Sequence, residues 1–409
     1  MRHLIVGKGP AGVVAAETIR ALEPEAEIQL VGDEGEPAYS RMAIPYLLTG
    51  AIDESGTWLR HDPGHFERLG IGQLDGRVAK VAPEAGRAEL EDGTVLEWDR
   101  LLLACGATPI RPPVPGLDNP GVHHCWTLAD ARGILQRARP GSRVVLMGAG
   151  FVGCIIMEAL VRRGVRLTVV EAGDRMVPRM LDATAGGLLA DWCRRQGIEV
   201  RTATRITAVE RRGDGLALDC DPGPGLQADL LVVAAGVQPN TGFLAGSGIE
   251  TNQGVVVDRH QRTSQANVWA AGDVCESVGW RGGRGVHAIQ PMAVETARVA
   301  ALEMCGRPAC HPGSLDINVL DTLGLVAVSM GHWSQGDDQA VLHRPGDDRY
   351  LRLQFEDDRL VGAISLGRTD HVGVLRGLIQ SRRPLGRWKA RLQADPTRFM
   401  EAWVDLAVA

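Results

Sequence analysis

No run of some 18 apolar residues occurs in the 409-residue sequence, so nothing in it reads as a membrane-spanning helix. Nor is there a charged leader followed by an apolar stretch and a small-residue cleavage site, and we expect a soluble, cytoplasmic protein. Long basic runs are missing too. With 44 Lys and Arg against 50 Asp and Glu the net charge is −6, which argues against nucleic acid as a partner and mainly favours solubility. No Cys/His cluster has the spacing of a zinc or iron–sulfur site. The eight cysteines, at 105, 125, 154, 193, 220, 275, 305 and 310, are scattered singly, as suits reduced thiols. Cys305 and Cys310 have a C-x4-C spacing in a loop after a helix, where ordinary thiols fit better than a redox pair. No cysteine precedes Cys105.

What the sequence does have is glycine, 51 residues of it, in a chain that is 44% apolar and 23% charged. That describes a globular, turn-rich chain, long enough for two or three domains. Two of its turns fit G-x-G-x-x-G. The first is Gly7-Lys8-Gly9-Pro10-Ala11-Gly12, entered from Leu4-Ile5-Val6; the second is Gly148-Ala149-Gly150-Phe151-Val152-Gly153, entered from Val144–Met147. In such a turn the glycines permit a tight bend, close backbone approach to a pyrophosphate, and close helix–strand packing. One turn alone is weak grounds for a nucleotide site. Two, each with an acidic residue about twenty positions on, imply two dinucleotides in one chain.

The first turn lies in a βαβ unit spanning residues 1–31, with a strand at 4–6, a helix at 13–22 and a strand at 28–31. Short strands with turns follow over 78–98, then a buried strand at 101–104. Arg111-Pro-Pro-Val-Pro-Gly116 is a stiff crossing between domains. A second βαβ unit starts at Arg143, with a helix at 151–163 and a strand at 166–171, and residues 237–315 return to the first domain. From about Leu315 strand-rich segments at 323–330, 350–355 and 360–366 precede a helix at 372–380. The fold class is α/β: two Rossmann-like, three-layer dinucleotide-binding domains plus a small C-terminal α+β domain. The expected boundaries are 1–115 with 241–314, then 116–240, then 315–409. Asp33 or Glu34, after the second strand, can accept both hydrogen bonds of an adenosine ribose. Glu171 can do so in the second unit and would repel a 2′-phosphate, which favours NADH over NADPH, although Arg175 nearby could soften that preference.

Three further stretches carry a resemblance to the two-dinucleotide flavoprotein reductases, the pyridine nucleotide–disulfide reductase superfamily in its broad sense. Leu103-Ala104-Cys105-Gly106-Ala107-Thr108-Pro109 resembles that family's crossing between nucleotide domains. Ala234-Ala235-Gly236-Val237-Gln238-Pro239-Asn240 is similar to its return crossing, and Thr263–Asp273 to its second flavin-binding motif. The resemblance implies that the first glycine turn serves FAD and the second the nicotinamide dinucleotide. It places Gly7, Gly9, Pro10, Ala11, Gly12, Asp33, Glu34, Arg41, Ala104, Gly106, Gly272, Asp273, Gln290 and Pro291 around FAD. Gly148, Gly150, Phe151, Val152, Glu171 and Gly236 would meet NADH, and no metal is implied. His287–Thr296 resembles the turn that opens a helix beneath the flavin. A helix N-terminus there offers free N–H groups and partial positive charge to the N1/C2=O edge.

The segment Tyr39–Leu48 separates subtypes. Disulfide and coenzyme A-disulfide reductases carry their redox cysteine here, where this chain has Met42, and ferredoxin reductases often carry lysine near Tyr46 and glutamate near Ile155. The pattern is closer to rubredoxin reductases and the flavin domains of NADH-dependent nitrite reductases, and Leu320–Gly331 with Leu360–Ile364 resembles their C-terminal domain. No catalytic residue is identified with certainty; Arg41, Pro45, Tyr46 and His287 are flavin-adjacent candidates, with core packing the alternative for Pro45. Trp333 and Trp388 could face an acceptor, although packing suits each better. The expected activity is hydride transfer from NADH to flavin N5, then electron delivery to a redox protein such as a ferredoxin, rubredoxin or terminal reductase. Alternatives are an NADH oxidase, a peroxide, quinone or small-molecule reductase, the FAD/NAD subunit of a larger dehydrogenase, and an NADH-responsive structural or signalling flavoprotein. A homodimer or a place in a complex is compatible with each.

Overall fold

Side chains alternate along short apolar runs, and that alternation builds the sheets. In the strand Arg2–Val6, Leu4 and Val6 face one way and Ile5 the other, yet all three are buried. A strand covered on both faces is what a parallel sheet requires. The computed structural model describes residues 1–334, 336–344 and 346–408. These form two compact units, Met1–Ile110 with Val237–Ser314, and Arg111–Gly236 with the described residues from Leu315 onward. Of the expected C-terminal stretch, residues 335, 345 and 409 lie outside those described.

In the first unit Arg2–Val6 pairs in parallel with Glu27–Gly32 on one side and Arg100–Leu103 on the other; Ile71–Asp75 and Val268–Ala270 complete five strands. Helix α1, Pro10–Leu22, joins the first two strands. It starts three residues earlier than the apolar periodicity suggests, because Pro10 is pre-set for the first turn and needs no N–H there. Ile5, Leu30 and Leu102 face the helical side. Leu4, Val6, Leu101 and Leu103 pack instead against Val78, Val81, Ala88 and Leu90 of the three-stranded sheet on the other side.

The second unit repeats the device. Arg143–Met147 pairs in parallel with Arg166–Val170 and Leu230–Val233, flanked by Glu199–Arg201 and Val122–His124. Helices α2, Phe151–Arg162, and α3, Ala183–Arg195, belong to this sheet. Val145, Val170, Leu231 and Val233 pack on Ile206, Val209, Leu216 and Leu218 of an antiparallel layer. The chain then rejoins the first unit, where helix α4, Gln290–Met304, lies along α1. Ala11, Ala15 and Ala16 of one helix share a core with Ala293, Ala297, Ala300 and Ala301 of the other, and such small residues let two helices approach closely.

From Leu315 a five-stranded antiparallel sheet forms in the order Ile317–Thr322, Leu325–Gly331, Arg359–Leu366, Tyr350–Glu356, Gln339–His343. Helices α5, Val372–Ser381, α6, Arg387–Ala394, and α7, Phe399–Val408, complete this α+β module. The fold class is therefore two Rossmann-like nucleotide folds plus a small C-terminal α+β part. Among the described residues no helix is long and apolar enough to cross a membrane.

Candidate functional site

The two glycine turns are nearly the same object built twice. Gly7 and Gly148 have φ of +122° and +102°, and their N–H groups donate to Val31 O and Val170 O at 2.7 and 2.8 Å. A Cβ on Gly7 would sit 2.1 Å from the Ala104 carbonyl oxygen, and one on Gly148 would sit 2.4 Å from that of Ala234. Gly12 and Gly153 lie so close to the first glycine of each turn that a Cβ would come within 1.9 and 2.2 Å of its carbonyl oxygen. These four glycines are demanded by the protein's own packing.

Gly9 and Gly150 are different. Their φ, −76° and −75°, suits any residue, and a Cβ on either would meet nothing within 4 Å. Packing therefore gives no reason for glycine at either position. Each is the N-cap of a helix of 12 or 13 residues with no side-chain cap and no acidic residue in its first turn. The free N–H groups and partial positive charge of each helix thus stand open toward a side-chain-free position. That fits a pyrophosphate lying against backbone, and it fits at both turns.

Around the first turn the unit gathers residues distant in sequence. Gly272 follows the strand Val268–Ala270, and a Cβ there would touch Ala11 at 3.2 Å and Ala293 at 3.5 Å, joining the starts of α1 and α4. Its N–H donates to Thr296 Oγ1 at 3.1 Å. Burial pushes the neighbouring Asp273 carboxyl up to about 6, while the Arg41 guanidinium pulls it back down. Arg41 donates to Glu34 Oε1 at 2.5 Å and to the Tyr39 hydroxyl at 2.8 Å, and Tyr39 donates in turn to Glu34 Oε2 at 2.5 Å. Glu34 is thereby committed to Arg41, whereas the half-exposed Asp33 carboxylate stands 3.9 Å from Arg77. Ser40 Oγ donates to Gln290 Oε1 at 2.6 Å, tying this segment to the first residue of α4. Helix α4 has no side-chain N-cap and carries Pro291 in its first turn.

Ala104 donates to Val6 O at 2.8 Å, and Gly106 accepts from Asn240 N–H at 3.0 Å, so the two crossing motifs meet within this unit. Pro45 lies in the short helix Ile44–Thr49, where Tyr46 is 61% exposed. His287 lies in the loop before α4, three residues short of its start, with its ring 3.7 Å from where a Gly285 Cβ would be. Ser40, Tyr39, Thr296 and Asn240 were not among the expected site residues. Each lies inside a stretch the sequence marks, Tyr39–Leu48, Ala234–Asn240 or His287–Thr296, and that membership is the signal that could have found them.

In the second unit Phe151 and Val152 form the first turn of α2, and Gly236 has φ of +105°. Glu171 Oε2 accepts the Ala149 N–H at 2.7 Å and Oε1 accepts the Gly173 N–H at 2.6 Å. Arg175 is spent on Asp174, at 2.7 Å, and on the Leu181 carbonyl, at 3.1 Å. Trp388 is only 4% exposed, with its indole N–H bonded to Asp405 at 2.6 Å, so it belongs to the packing of its module. All eight cysteines are free, and burial pushes the Cys105 thiol up to about 12. Among the described residues no three His, Cys, Asp or Glu side chains group as metal ligands.

A family model described as pyridine nucleotide-disulphide oxidoreductase matches residues 1–301. The chain is 32% identical over 402 residues to the NADH-dependent phenylglyoxylate dehydrogenase subunit epsilon of Aromatoleum evansii, covering 97% of this chain and 95% of that one. It is 31% identical over 310 residues to rhodocoxin reductase of Rhodococcus erythropolis, covering 75% and 72%. Among solved structures, the covalent putidaredoxin reductase–putidaredoxin complex matches with a TM-score of 0.89 at 23% identity over 98% of each chain, a likeness of fold.

Proposed function

We propose that this chain, which belongs to the pyridine nucleotide-disulphide oxidoreductase family, oxidises NADH with FAD and passes the electrons to an external redox protein. The observation that carries this reading is the pair of open glycines, Gly9 and Gly150, each at an uncapped helix N-terminus. Bound FAD supplies the hydride acceptor and the onward electron donor.

The chain's own residues bind and orient. Gly7, Gly9, Pro10, Ala11 and Gly12 lay the N–H groups of α1 against one pyrophosphate. Asp33 takes the adenosine ribose, and Glu34 steadies Arg41, whose charge offsets the phosphates. Ala104, Gly106, Gly272 and Asp273 wall the ribityl side, and Gln290 and Pro291 aim the free N–H groups of α4 at the ring edge. Pro45, Tyr46 and His287 stand as ring neighbours. Gly148, Gly150, Phe151, Val152 and Gly236 hold the dinucleotide of NADH, with Glu171 at its ribose. Glu171 would repel a 2′-phosphate and Arg175 is already committed to Asp174 and Leu181, so NADH is the donor in this reading. The working division is an FAD domain, 1–115 with 241–314, an NAD domain, 116–240, and a C-terminal interface module, 315–409. The acceptor is a ferredoxin, a rubredoxin or a terminal reductase.

A second reading has one specific support. The match to the dehydrogenase subunit epsilon runs nearly end to end in both chains, which favours the flavin-bearing subunit of a larger dehydrogenase. NADH consumption by the purified chain, alone and with added one-electron carriers, tests the acceptor. Silence until a carrier is present supports protein-to-protein transfer; brisk turnover with oxygen alone overturns it in favour of an oxidase.

A further inference from the structure

One loop of the second unit serves two neighbours. It runs from Glu171, after the strand Arg166–Val170, to Asp182 at the start of α3. Its Val177 N–H donates to the Ala149 carbonyl at 2.9 Å, in the same glycine turn whose Ala149 N–H is held by Glu171. Val177 keeps that bond at φ +49°, a left-handed conformation that a β-branched side chain adopts only under strain. The same loop supplies Arg175, Arg179 and Asp182 to an open recess of about 510 Å³, whose other walls include Ala183 of α3 and Trp333 and Arg352 of the C-terminal module. None of these residues is among those assigned to NADH.

The recess is short of negative charge. Asp182 is already shared: one oxygen accepts the Ala185 N–H at 2.9 Å, and the other accepts the Tyr350 hydroxyl at 2.6 Å and Arg352 at 3.2 Å. Arg175 is held by Asp174 at 2.7 Å. Arg179 is exposed and meets no carboxylate among the described residues. Arg352 is 14% exposed, and its Nε is shut off from solvent without a hydrogen-bond partner among the described residues. Such a buried donor costs free energy until something accepts from it. Ala183 adds the positive end of a 13-residue helix. Guanidiniums and a helix N-terminus around one recess suit a phosphate. Trp333 adds an aromatic surface, and Gly362 makes room for it, since a Cβ there would lie 2.4 Å from the Trp333 backbone nitrogen. Phosphate chemistry beside an aromatic ring, in a space the size of an ordinary small-molecule site, matches a nucleotide.

We propose that this recess binds a nucleoside phosphate, with the phosphates on Arg179, Arg352 and the start of α3 and the base on Trp333, and that its occupancy adjusts the binding of NADH. The coupling path is short. Ala149 is held at its carbonyl by Val177 and at its N–H by Glu171, and Arg179 lies two residues beyond Val177. A ligand that draws on Arg179 therefore acts on the bond that sets the glycine turn, and its differential affinity for the two arrangements is the coupling. This second half rests on the reading that the turn holds NADH.

The test uses the flavin-loaded full chain, with ADP as the probe and NAD+ in excess to fill the glycine turn, followed by titration calorimetry. One ADP should bind per chain. Arg179→Ala should weaken it about tenfold or more, while the KM for NADH measured without ADP keeps its value. ADP should change the KM for NADH about threefold or more in the parent chain and not in Arg179→Ala. Trp333→Leu should weaken ADP severalfold and leave inorganic phosphate, the second probe, as it was. ADP that NAD+ displaces completely sits in the glycine turn and overturns the proposal, as does ADP binding that Arg179→Ala leaves unchanged. Inorganic phosphate bound as tightly as ADP overturns the nucleoside class. Loss of flavin reduction by NADPH in Arg179→Ala makes the recess part of the dinucleotide site and overturns it as a separate one. A chain that binds no NAD+ yet binds one ADP, with these substitution effects, overturns the NADH reading and the coupling and leaves the recess as a nucleotide site.

Discussion

Glu171 holds the second glycine turn with its own carboxylate, accepting the Ala149 N–H at 2.7 Å across 22 residues of sequence. The side chain at the end of one strand thus braces the turn at the end of its neighbour. In the proposed function a ribose diol at that strand end would meet an acceptor already fixed in place. We expect Glu171→Ala to raise the KM for NADH about tenfold, with kcat within about twofold, since the lost bonds are charge-assisted and worth roughly 1.5–3 kcal/mol. The preference over NADPH should narrow as well. Steady-state kinetics with both donors check this, and an unchanged KM for NADH counts against the assigned role.

Gly9 and Gly12 should respond oppositely to the same change. Gly12→Ala drives a methyl into the Gly7 carbonyl oxygen, 1.9 Å away in unmoved backbone, and should cost the flavin-free protein about 2 kcal/mol or more. Gly9→Ala meets open space at an ordinary φ, so its flavin-free melting temperature should match the parent. With the pyrophosphate against Gly9 as proposed, its flavin retention should fall at least tenfold. Thermal melts and bound-flavin absorbance separate the two.

Asp273 makes flavin-free stability depend on pH. Burial raises its pKa to about 6, above the ordinary carboxylate value of 3.8. The folded chain therefore binds the proton more tightly than the unfolded one. This contribution is present at low pH and is lost as pH rises through 6. Between pH 4 and 7 Asp273→Asn should gain on the parent by on the order of 2 kcal/mol, read from urea unfolding at several pH values. A difference independent of pH would contradict the assignment.

The C-terminal module is fastened to the second nucleotide fold through Asp182. One carboxylate oxygen caps α3 by accepting the Ala185 N–H at 2.9 Å, while the other accepts the Tyr350 hydroxyl at 2.6 Å and Arg352 at 3.2 Å. Asp182→Ala removes a helix cap and strands a largely buried guanidinium, at a cost of about 3 kcal/mol. Tyr350→Phe keeps the cap and the ion pair and should cost about 1 kcal/mol. Denaturant unfolding of both variants checks the order.

Much of this was legible in the residues. The βαβ units at 1–31 and from Arg143 announce themselves because glycine turns, strand runs and helix periodicity are all local. The limits of legibility have the same cause. Ser40 and Gln290 meet across 250 positions, and nothing in either neighbourhood signals the other. The same holds for Asp182 and Tyr350, 168 positions apart. The apolar pattern marks buried faces rather than caps, so it started α1 at Val13 when Pro10 begins it, and it left His287 close to a helix that starts at Gln290. The glycines were visible as motifs, but two different reasons for them, packing at Gly12 and open space at Gly9, emerge only in three dimensions.

Rapid-mixing absorbance of the purified protein tests most directly whether a resident flavin takes electrons from NADH in this chain. A yellow protein is expected, whose bound FAD bleaches rapidly with NADH, at least tenfold more slowly with NADPH, and recolours when a one-electron carrier protein is added. A protein that retains no flavin, or one that NADPH reduces tenfold faster than NADH, would contradict it.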